Sequence, residues 1–164
     1  MVEEKEEFEM GIPNGVGEQM LAHAFEKFDI KLEHGEFGPK IIGEYDELVK
    51  AREFLENAIR DRLKELQGNT HSVITALVLY NGRKKITTSK ICKTYVTFSP
   101  MSDEEIEWYV NTGEWHGAAG GYRIQSFASC FIKKIEGSYT SVVGLPIFEL
   151  YDMLKEQDYS LLDQ

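Results

Sequence analysis

Residues 71–98 read HSVITALVLYNGRKKITTSKICKTYVTF and form the most informative stretch of the sequence. Residues 71–80 are almost continuously apolar and rich in β-branched side chains, which predicts a strand that is covered on both faces. The dipeptide Asn81-Gly82 follows directly and is the strongest short signal for a two-residue hairpin turn. Apolar and polar residues then alternate over residues 85–98, as expected for the returning strand. The stretch therefore predicts a long antiparallel hairpin.

Helical patterns lie on both sides of this hairpin. Apolar residues recur at intervals of three and four over residues 16–28 and 44–67, and the charges of the second segment are interpreted as its solvated side. Downstream, Ser102 opens a Ser-x-x-Glu capping box, residues 129–135 predict a strand, and Pro146 opens a final helix. Interleaved helices and strands indicate an α/β or α+β protein. The 164 residues fit a single domain, 1–164, with residues 1–13 as a flexible acidic arm.

Composition limits the classes of function. The formal net charge of −10 repels a polyanion, so we expect no nucleic-acid polymer as a partner. No apolar stretch approaches the ~20 residues needed to cross a bilayer, and the acidic start lacks the segments of a signal peptide. We therefore expect a cytoplasmic protein with no membrane partner. Cys92 and Cys130 show no metal-ligand spacing and are predicted to be small buried thiols.

A glycine-rich segment, AAGGYRIQ at residues 118–125, is a candidate ligand-binding loop. Adjacent glycines let backbone N–H groups approach a phosphate or a ribose closely. Glycines also serve tight turns that bind nothing, so the segment alone leaves both interpretations open.

Five short motifs, one of which lies within this loop, follow one another over residues 101–146. They are MSDEEI at 101–106, YVNTGE at 109–114, AGGYRIQ at 119–125, FI at 131–132 and IEGSYTSVVGLP at 135–146. Together they resemble the C-terminal signature of the Maf-type nucleoside-triphosphate pyrophosphatases. Upstream, LQGNTHSVIT at 66–75 is similar to the family's Ser-Gly-Arg-Thr-His-x-Val-x-Thr strand entry, with Asn69 in place of the arginine. The resemblance covers residues 63–155.

This resemblance implies a fold, an activity and partners. The fold would be α/β, with a long, mixed, mostly antiparallel sheet flanked by helices around a cleft, as in inosine-triphosphatase-like proteins of the Maf type. The activity would be hydrolysis of pyrimidine nucleoside triphosphates, canonical or modified, to the monophosphate and pyrophosphate. Mg²⁺ or Mn²⁺ would be the cofactor, and the protein would be a homodimer.

The resemblance also assigns substrate-binding roles to single residues. Gln125 stands at the position of the family's substrate-selecting glutamine, and its amide can bond a pyrimidine edge as both donor and acceptor. Gly120, Gly121 and Tyr122 belong to the same motif. Two further substrate contacts are implied at the strand entry, Thr75 and His71, and His71 could equally serve only to orient that strand.

The phosphate side of the family's site is less complete in this sequence. The family's Ser-x-Ser-Pro-Arg-Arg loop has no counterpart, since the first arginine is Arg52. The resemblance implies Asp29 as the catalytic and metal-binding carboxylate and Lys40 as the catalytic phosphate cation. Alternatively, Asp29 ends a helix and Lys40 is a surface turn residue. A second hypothesis for the whole chain is therefore a catalytically impaired protein of the Maf fold that binds a nucleotide or a protein partner.

Overall fold

The computed structural model describes residues 6–11, 18–35, 38–115, 118 and 120–162. Its helices and strands are β1 (Phe8–Gly11), α1 (Glu18–Lys27), β2 (Ile30–Gly35), β3 (Gly38–Gly43), α2 (Tyr45–Leu66), β4 (Thr70–Asn81), β5 (Ile86–Phe98), α3 (Asp103–Asn111), a 3₁₀ turn (Phe127–Phe131), β6 (Ile132–Glu136), α4 (Tyr139–Val143) and α5 (Ile147–Glu156). Within the described residues, the strands form two three-stranded antiparallel sheets, β1-β3-β2 and β4-β5-β6. The expected α/β class, with antiparallel sheets flanked by helices, is confirmed.

The chain divides into two compact units that are not continuous in sequence. The first comprises Met1–Glu65 and Met101–Arg123, and the second comprises Leu66–Pro100 and Ile124–Gln164. The expectation of one domain over 1–164 stays a prediction. None of the helices in the described ranges is long and apolar enough to span a membrane.

The core of the first unit is organised by α2. Its buried residues Leu55, Ile59 and Leu63 recur at intervals of four, so they share one face of the helix. On another face Arg60 makes a two-pronged contact with Glu107 of α3, with Nε 2.7 Å from Oε2 and Nη2 2.9 Å from Oε1. Parallel hydrogen bonds of this kind fix orientation as well as distance. The two helices are therefore held together by a defined contact.

Residues 8–11, which were expected to belong to a flexible arm, form the edge strand β1. Phe8 lies opposite Gly43 and Gly11 lies opposite Lys40 in the ladder with β3. The Phe8 ring also packs edge-on against the Tyr45 ring at a centroid distance of 5.8 Å. Backbone pairing and this aromatic contact give the acidic segment an ordered position. Residues 1–5 and 12–13 of the expected arm lie outside the described residues.

The long hairpin of the second unit is confirmed, but its predicted two-residue turn is wrong. β4 and β5 pair in unbroken register from Thr70 opposite Thr97 to Asn81 opposite Ile86, which leaves a four-residue loop, 82–85. The Asn81 side chain explains the longer loop, because its Oδ1 accepts the N–H groups of Arg83 and Lys84, each at 3.1 Å. Lys85 then takes a left-handed conformation, with φ 57°.

The prediction that β4 is covered on both faces is also wrong. The helices α4 and α5 pack against β4 and β5, and the Thr75 hydroxyl on this inner face donates to Ser141 O at 3.1 Å. On the outer face the side chains of Ile74 and Val78 are 61% and 71% exposed. Apolar composition alone could not reveal this, because it does not say on which side of the sheet the later helices pack.

The predicted signals downstream of the hairpin are mostly confirmed. Ser102 and Glu105 form the complete capping box of α3, and Pro146 precedes the first residue of α5. The predicted strand at 129–135 begins only at Ile132, because residues 127–131 form a 3₁₀ turn. Of the two cysteines, Cys92 is buried as expected, whereas Cys130 is exposed, so the prediction of a second buried thiol is wrong.

Candidate functional site

The glycine-rich loop of the first unit makes a tight turn against α2. Gly121 has φ 79°, and its N–H donates to Ala118 O at 2.9 Å. A Cβ at Gly121 would lie 3.3 Å from Arg62 Cγ and 3.7 Å from Ile59 Cδ1. Glycine is therefore required at this position both for the backbone conformation and for the close approach to the helix.

Aromatic residues and hydrogen bonds hold the chain that follows this turn. Tyr109 is fully buried, and its phenol oxygen accepts the Arg123 N–H at 3.2 Å. The Arg123 side chain donates from Nε to Glu114 O at 3.1 Å. Burial raises the pKa of Tyr109 and of Tyr122 to about 12. Both phenols are therefore neutral under physiological conditions.

A cavity of about 350 Å³ lies beside the turn. It combines an apolar patch, the backbone of the glycines and charged groups, and it is lined by Met20, Ala58, Ile59, Asp61, Arg62, Glu65, Ala118, Gly120 and Gly121. Arg62 Nη1 donates to Glu65 Oε2 at 2.9 Å. The cavity thus offers a small polar ligand one guanidinium, carboxylates and backbone groups.

Sequence reasoning missed the charged residues of this cavity, because it assigned all charges of α2 to a solvated side. The usable signal is their spacing. Asp61, Arg62 and Glu65 follow Ala58 by three, four and seven residues, which places them on one helical face. That face is the one that meets the glycine turn.

The structure does not bring Asp29 and Lys40 together, although both belong to the first unit. Asp29 is an exposed residue directly before β2, and its N–H donates to Glu47 Oε2 at 3.1 Å. Lys40 lies in β3 opposite Glu33, so it is four residues along the ladder from Asp29, roughly 13 Å. Lys40 Nζ donates to the Glu9 carboxylate, and this bond raises the pKa of Lys40. The roles assigned to Asp29 and Lys40 stay predictions.

Three of the implied substrate contacts belong to the second unit. Gln125 is exposed in the segment before the 3₁₀ turn, where its amide can reach a ligand. Thr75 is half-buried in β4 and its hydroxyl is engaged with Ser141 O. His71 is half-buried on the same face of β4, where its ring lies 5.9 Å from that of Phe98. A structural role at the strand entry is therefore compatible with the positions of His71 and Thr75.

A second cavity, of about 440 Å³, lies within the second unit and was not predicted from the sequence. The buried Cys92 thiol donates to Glu149 Oε1 at 3.3 Å at its edge. Ser138 also lines this cavity. Its residues come from β5, the turn after β6 and α5, and no local motif indicates that these segments meet.

The described residues contain no group of three or more His, Cys, Asp or Glu side chains that could hold a metal ion. A magnesium ion that arrives with a nucleotide needs only one or two protein carboxylates, because phosphate oxygens and water complete its coordination. The exposed carboxylate of Asp29 fits one such contact.

Three relatives of this chain carry the name dTTP/UTP pyrophosphatase. The chain is 44% identical over 100 residues to the dTTP/UTP pyrophosphatase of Treponema denticola, a match that covers 61% of this chain and 49% of that protein. The dTTP/UTP pyrophosphatase of Shewanella denitrificans is 44% identical over 102 residues, which cover 60% of this chain and 50% of that protein. The dTTP/UTP pyrophosphatase of Pyrococcus furiosus is 44% identical over 96 residues, which cover 58% of this chain and 50% of that protein. The chain spans about half the length of these curated relatives.

The extent of the family match agrees with the extent of the motifs. The sequence model of the Maf-like proteins matches residues 45–157, which is more than half of the chain. This range contains α2, the hairpin, the glycine turn and the motifs that continue to α5. The chain therefore belongs to the Maf-like protein family.

Proposed function

We propose that this chain acts as a nucleoside-triphosphate pyrophosphatase on pyrimidine nucleotides, canonical or modified, and releases the nucleoside monophosphate and pyrophosphate. The observation that carries the proposal is the 44% identity, over 96 to 102 residues, to three proteins named dTTP/UTP pyrophosphatase. Enzymes of this kind position the triphosphate and stabilise the charge that develops on it, so binding residues account for most of the catalysis.

Gln125 is the residue that we propose for recognition of the base. Thymine and uracil present an acceptor, a donor and an acceptor along one edge, and an amide can pair with two neighbouring groups of that edge. The exposure of Gln125 leaves its amide accessible to a ligand. A site that hydrogen-bonds a substrate in this way discriminates strongly against bases that lack the matching groups.

For the phosphate side we propose Asp29 and Lys40. The bond to Glu9 raises the pKa of Lys40, so this side chain is charged at neutral pH, which is the form that attracts phosphate. Mg²⁺ or Mn²⁺, bound together with the triphosphate, would neutralise part of its negative charge. Asp29 would supply one oxygen ligand to that ion.

One observation favours a second candidate function, a catalytically impaired member of the family that binds a nucleotide or a protein partner. Asp29 lies directly before β2 and Lys40 lies opposite Glu33, so their backbones are separated by four residues along the strand direction, roughly 13 Å. A backbone separation of this size does not by itself set the two side-chain groups in the close geometry that joint action on one triphosphate requires.

Pyrophosphate release tests both candidates. We expect folded wild-type protein to release pyrophosphate from dTTP and UTP with Mn²⁺, faster than from purine nucleotides. Gln125→Ala should lower kcat/KM for the pyrimidines about tenfold, since it removes one or two hydrogen bonds to the base. Ser129→Ala changes another exposed residue, in the neighbouring 3₁₀ turn, and should leave the rate unchanged.

The two candidates predict different results from the same protein. A wild-type protein that releases no pyrophosphate from any nucleotide would contradict the enzyme proposal. If dTTP nevertheless raises its Tm, and Gln125→Ala abolishes that rise, the binding function is supported.

We also propose that the protein works in the cytoplasm as a homodimer. Cys92 and Cys130 are free thiols, a state that reducing compartments maintain. A dimer accords with the expectation from the family resemblance, and its presence can be measured by light scattering.

A further inference from the structure

A third cavity, of about 650 Å³, lies at the tip of the long hairpin. It is lined by the end of β4, by residues 82–84 of the hairpin loop, and by the end of α5 with the segment that follows it. All of its lining residues belong to the second unit. None of the residues proposed above for the substrate is among them. Its volume falls within the range of small-molecule sites, about 300–1,000 Å³.

Gln157 gives the cavity a buried hydrogen-bond acceptor. The residue is only 4% exposed, and its Nε2 donates to Leu79 O at 3.3 Å and to Thr88 Oγ1 at 3.0 Å. The two bonds use both hydrogens of the amide and fix its orientation. Its Oε1 accepts no hydrogen bond from any residue that the structure describes, and these residues do not enclose the atom. A ligand in the cavity that donates a hydrogen bond to Oε1 would satisfy it.

The end of α5 also favours a hydrogen-bond donor at this place. α5 (Ile147–Glu156) ends beside the cavity, which Leu154 and Gln157 line. The C-terminal end of a helix carries a partial negative charge, because its last carbonyl groups have no partner within the helix. A phosphate is repelled by this charge, whereas an amino group is attracted to it. The Gln157 side of the cavity therefore suits the amino edge of a ligand.

The hairpin loop supplies a cation for an anionic group. Arg83 lines the cavity, and its side chain forms no ion pair within the part of the chain that the structure describes. The neighbouring Lys84 is already engaged, since its Nζ donates to Gln157 O and to Asp158 Oδ2, each at 2.8 Å. Lys84 thus ties the C-terminal segment to the loop and neutralises Asp158, and Arg83 remains for the ligand. A guanidinium can bind a phosphate with two parallel hydrogen bonds.

Two tyrosine rings contribute the aromatic part of the lining. Tyr80 and Tyr159 line the cavity and are 58% and 44% exposed, so part of each ring is accessible. Accessible aromatic rings stack on flat heterocycles such as nucleobases. A free phosphate would leave both rings and Gln157 unused. The lining therefore suits a ligand that combines a flat heterocycle, an amino group and an anionic group.

From these features we propose that the cavity binds an adenine nucleotide. The amino group of adenine donates to Gln157 Oε1, the base packs against the tyrosine rings, and the phosphate contacts Arg83. Adenine and cytosine both carry such an amino group, and the double ring of adenine covers more of the aromatic surface. The net charge of −10 opposes non-specific attraction of nucleotides, so binding depends on these local contacts. This proposal does not depend on the pyrophosphatase activity.

Three ligands separate the contributions in isothermal titration calorimetry of the full chain. We expect AMP to bind the wild type with a Kd below about 1 mM. Inosine monophosphate should bind about tenfold more weakly, because an oxo group replaces the amino donor and faces the acceptor Oε1. Adenosine should also bind about tenfold more weakly than AMP, since it lacks the phosphate. Inosine monophosphate that binds as tightly as AMP would overturn the proposal.

Arg83 and Lys85 provide a matched pair of variants. Arg83→Gln should weaken AMP about tenfold and leave the affinity for adenosine unchanged, because only the phosphate contact is lost. Lys85→Gln removes the same charge from the same loop, at a residue that does not line the cavity. It should weaken AMP less than about threefold, since salt screens an exposed charge that makes no direct contact. An equal effect of Arg83→Gln on AMP and on adenosine would contradict the assigned phosphate contact and overturn the proposal.

Gln125→Ala separates this cavity from the proposed substrate site. AMP should bind this variant as tightly as it binds the wild type, whether or not the protein hydrolyses nucleotides. A loss of AMP binding in Gln125→Ala would place AMP in the substrate site and overturn the proposal. A wild type that shows no binding of AMP at about 1 mM would also overturn it.

Discussion

At the scale of the single residue, Gly137 shows how the turn after β6 is fixed. Its φ is 127°, and a Cβ there would lie 2.7 Å from Thr94 Oγ1 and 2.9 Å from Thr94 Cα. The Ser138 N–H donates to Thr94 Oγ1 at 3.0 Å, so the turn lies directly on β5. We expect Gly137→Ala to lower the free energy of unfolding by about 3 kcal/mol, because strain and a clash with backbone add together. Urea denaturation measures this loss.

Gly144 provides the control, because a side chain there would strain the backbone without a steric clash. Its φ is 136°, and a Cβ there meets none of the described atoms within 4 Å. Gly144→Ala should therefore cost only about 1 kcal/mol in the same urea experiment. Equal losses for the two variants would show that the contact with Thr94 contributes nothing.

At the scale of the element, the capping box of α3 is a local stabilising device. Ser102 Oγ accepts the Glu105 N–H at 3.2 Å, and Glu105 Oε2 accepts the Ser102 N–H at 2.7 Å. Ser102→Ala should lower the free energy of unfolding by about 1 kcal/mol, since one helix N–H loses its partner. Ser102→Asp keeps an acceptor and should retain nearly all of the stability. A loss as large for aspartate as for alanine in urea titrations would contradict this account.

The sequence predicts elements of this kind well, because their partners lie within a few residues. Ser102 and Glu105 are three positions apart, and the strands on either side of Asn81 are adjacent in the chain. The loop length was mispredicted because the Asn81 side chain bonds the next N–H groups. The exposed face of β4 depends on where α4 and α5 pack, which its own residues do not encode. The charges of Asp61, Arg62 and Glu65 resemble any solvated helix face until the glycine turn is placed against them.

At the scale of the whole molecule, each of the two units is built from two separate segments of the chain. Residues 101–123 belong with the N-terminal segment, and the division between Arg123 and Ile124 falls inside the AGGYRIQ motif. No composition change or linker marks that point, because the same motif continues through it. The sequence therefore reveals the motif but not the unit to which each of its residues belongs.

The response of the whole molecule to acid follows from its ion pairs. Hydrogen bonds with Arg60 and Lys90 lower the pKa of Glu107 and Asp152 respectively. Their stabilising contribution is present above the ordinary carboxylate pKa values and is lost as the pH falls through the lower folded-state values. These exposed pairs are weak and screened by salt. We therefore expect the free energy of unfolding to fall only gradually as the pH is lowered. Its change at alkaline pH is the more informative measurement.

At alkaline pH, two buried phenols are expected to lower the stability of the folded protein. Burial raises the pKa of Tyr109 and Tyr122 to about 12, from 10.0. The unfolded chain therefore ionises first, and stability falls by roughly 1.4 kcal/mol per pH unit for each phenol between the two values. We expect the urea midpoint to drop steeply from pH 10 to pH 11.5, and Tyr122→Phe to make that drop shallower.

Lysines also contribute to the loss of stability at alkaline pH. The contribution of the buried phenols is therefore identified by comparing variants. Hydrogen bonds to Asp152 and Glu156 raise the pKa of Lys90, and its stabilising effect is also lost as the pH rises. Every variant retains this lysine contribution, so it cancels in the difference from wild type. Tyr139→Phe, which changes a phenol that is 46% exposed, should leave the alkaline slope as it is in the wild type. An equal change of slope in both variants would mean that burial of Tyr122 is not the origin of the alkaline instability.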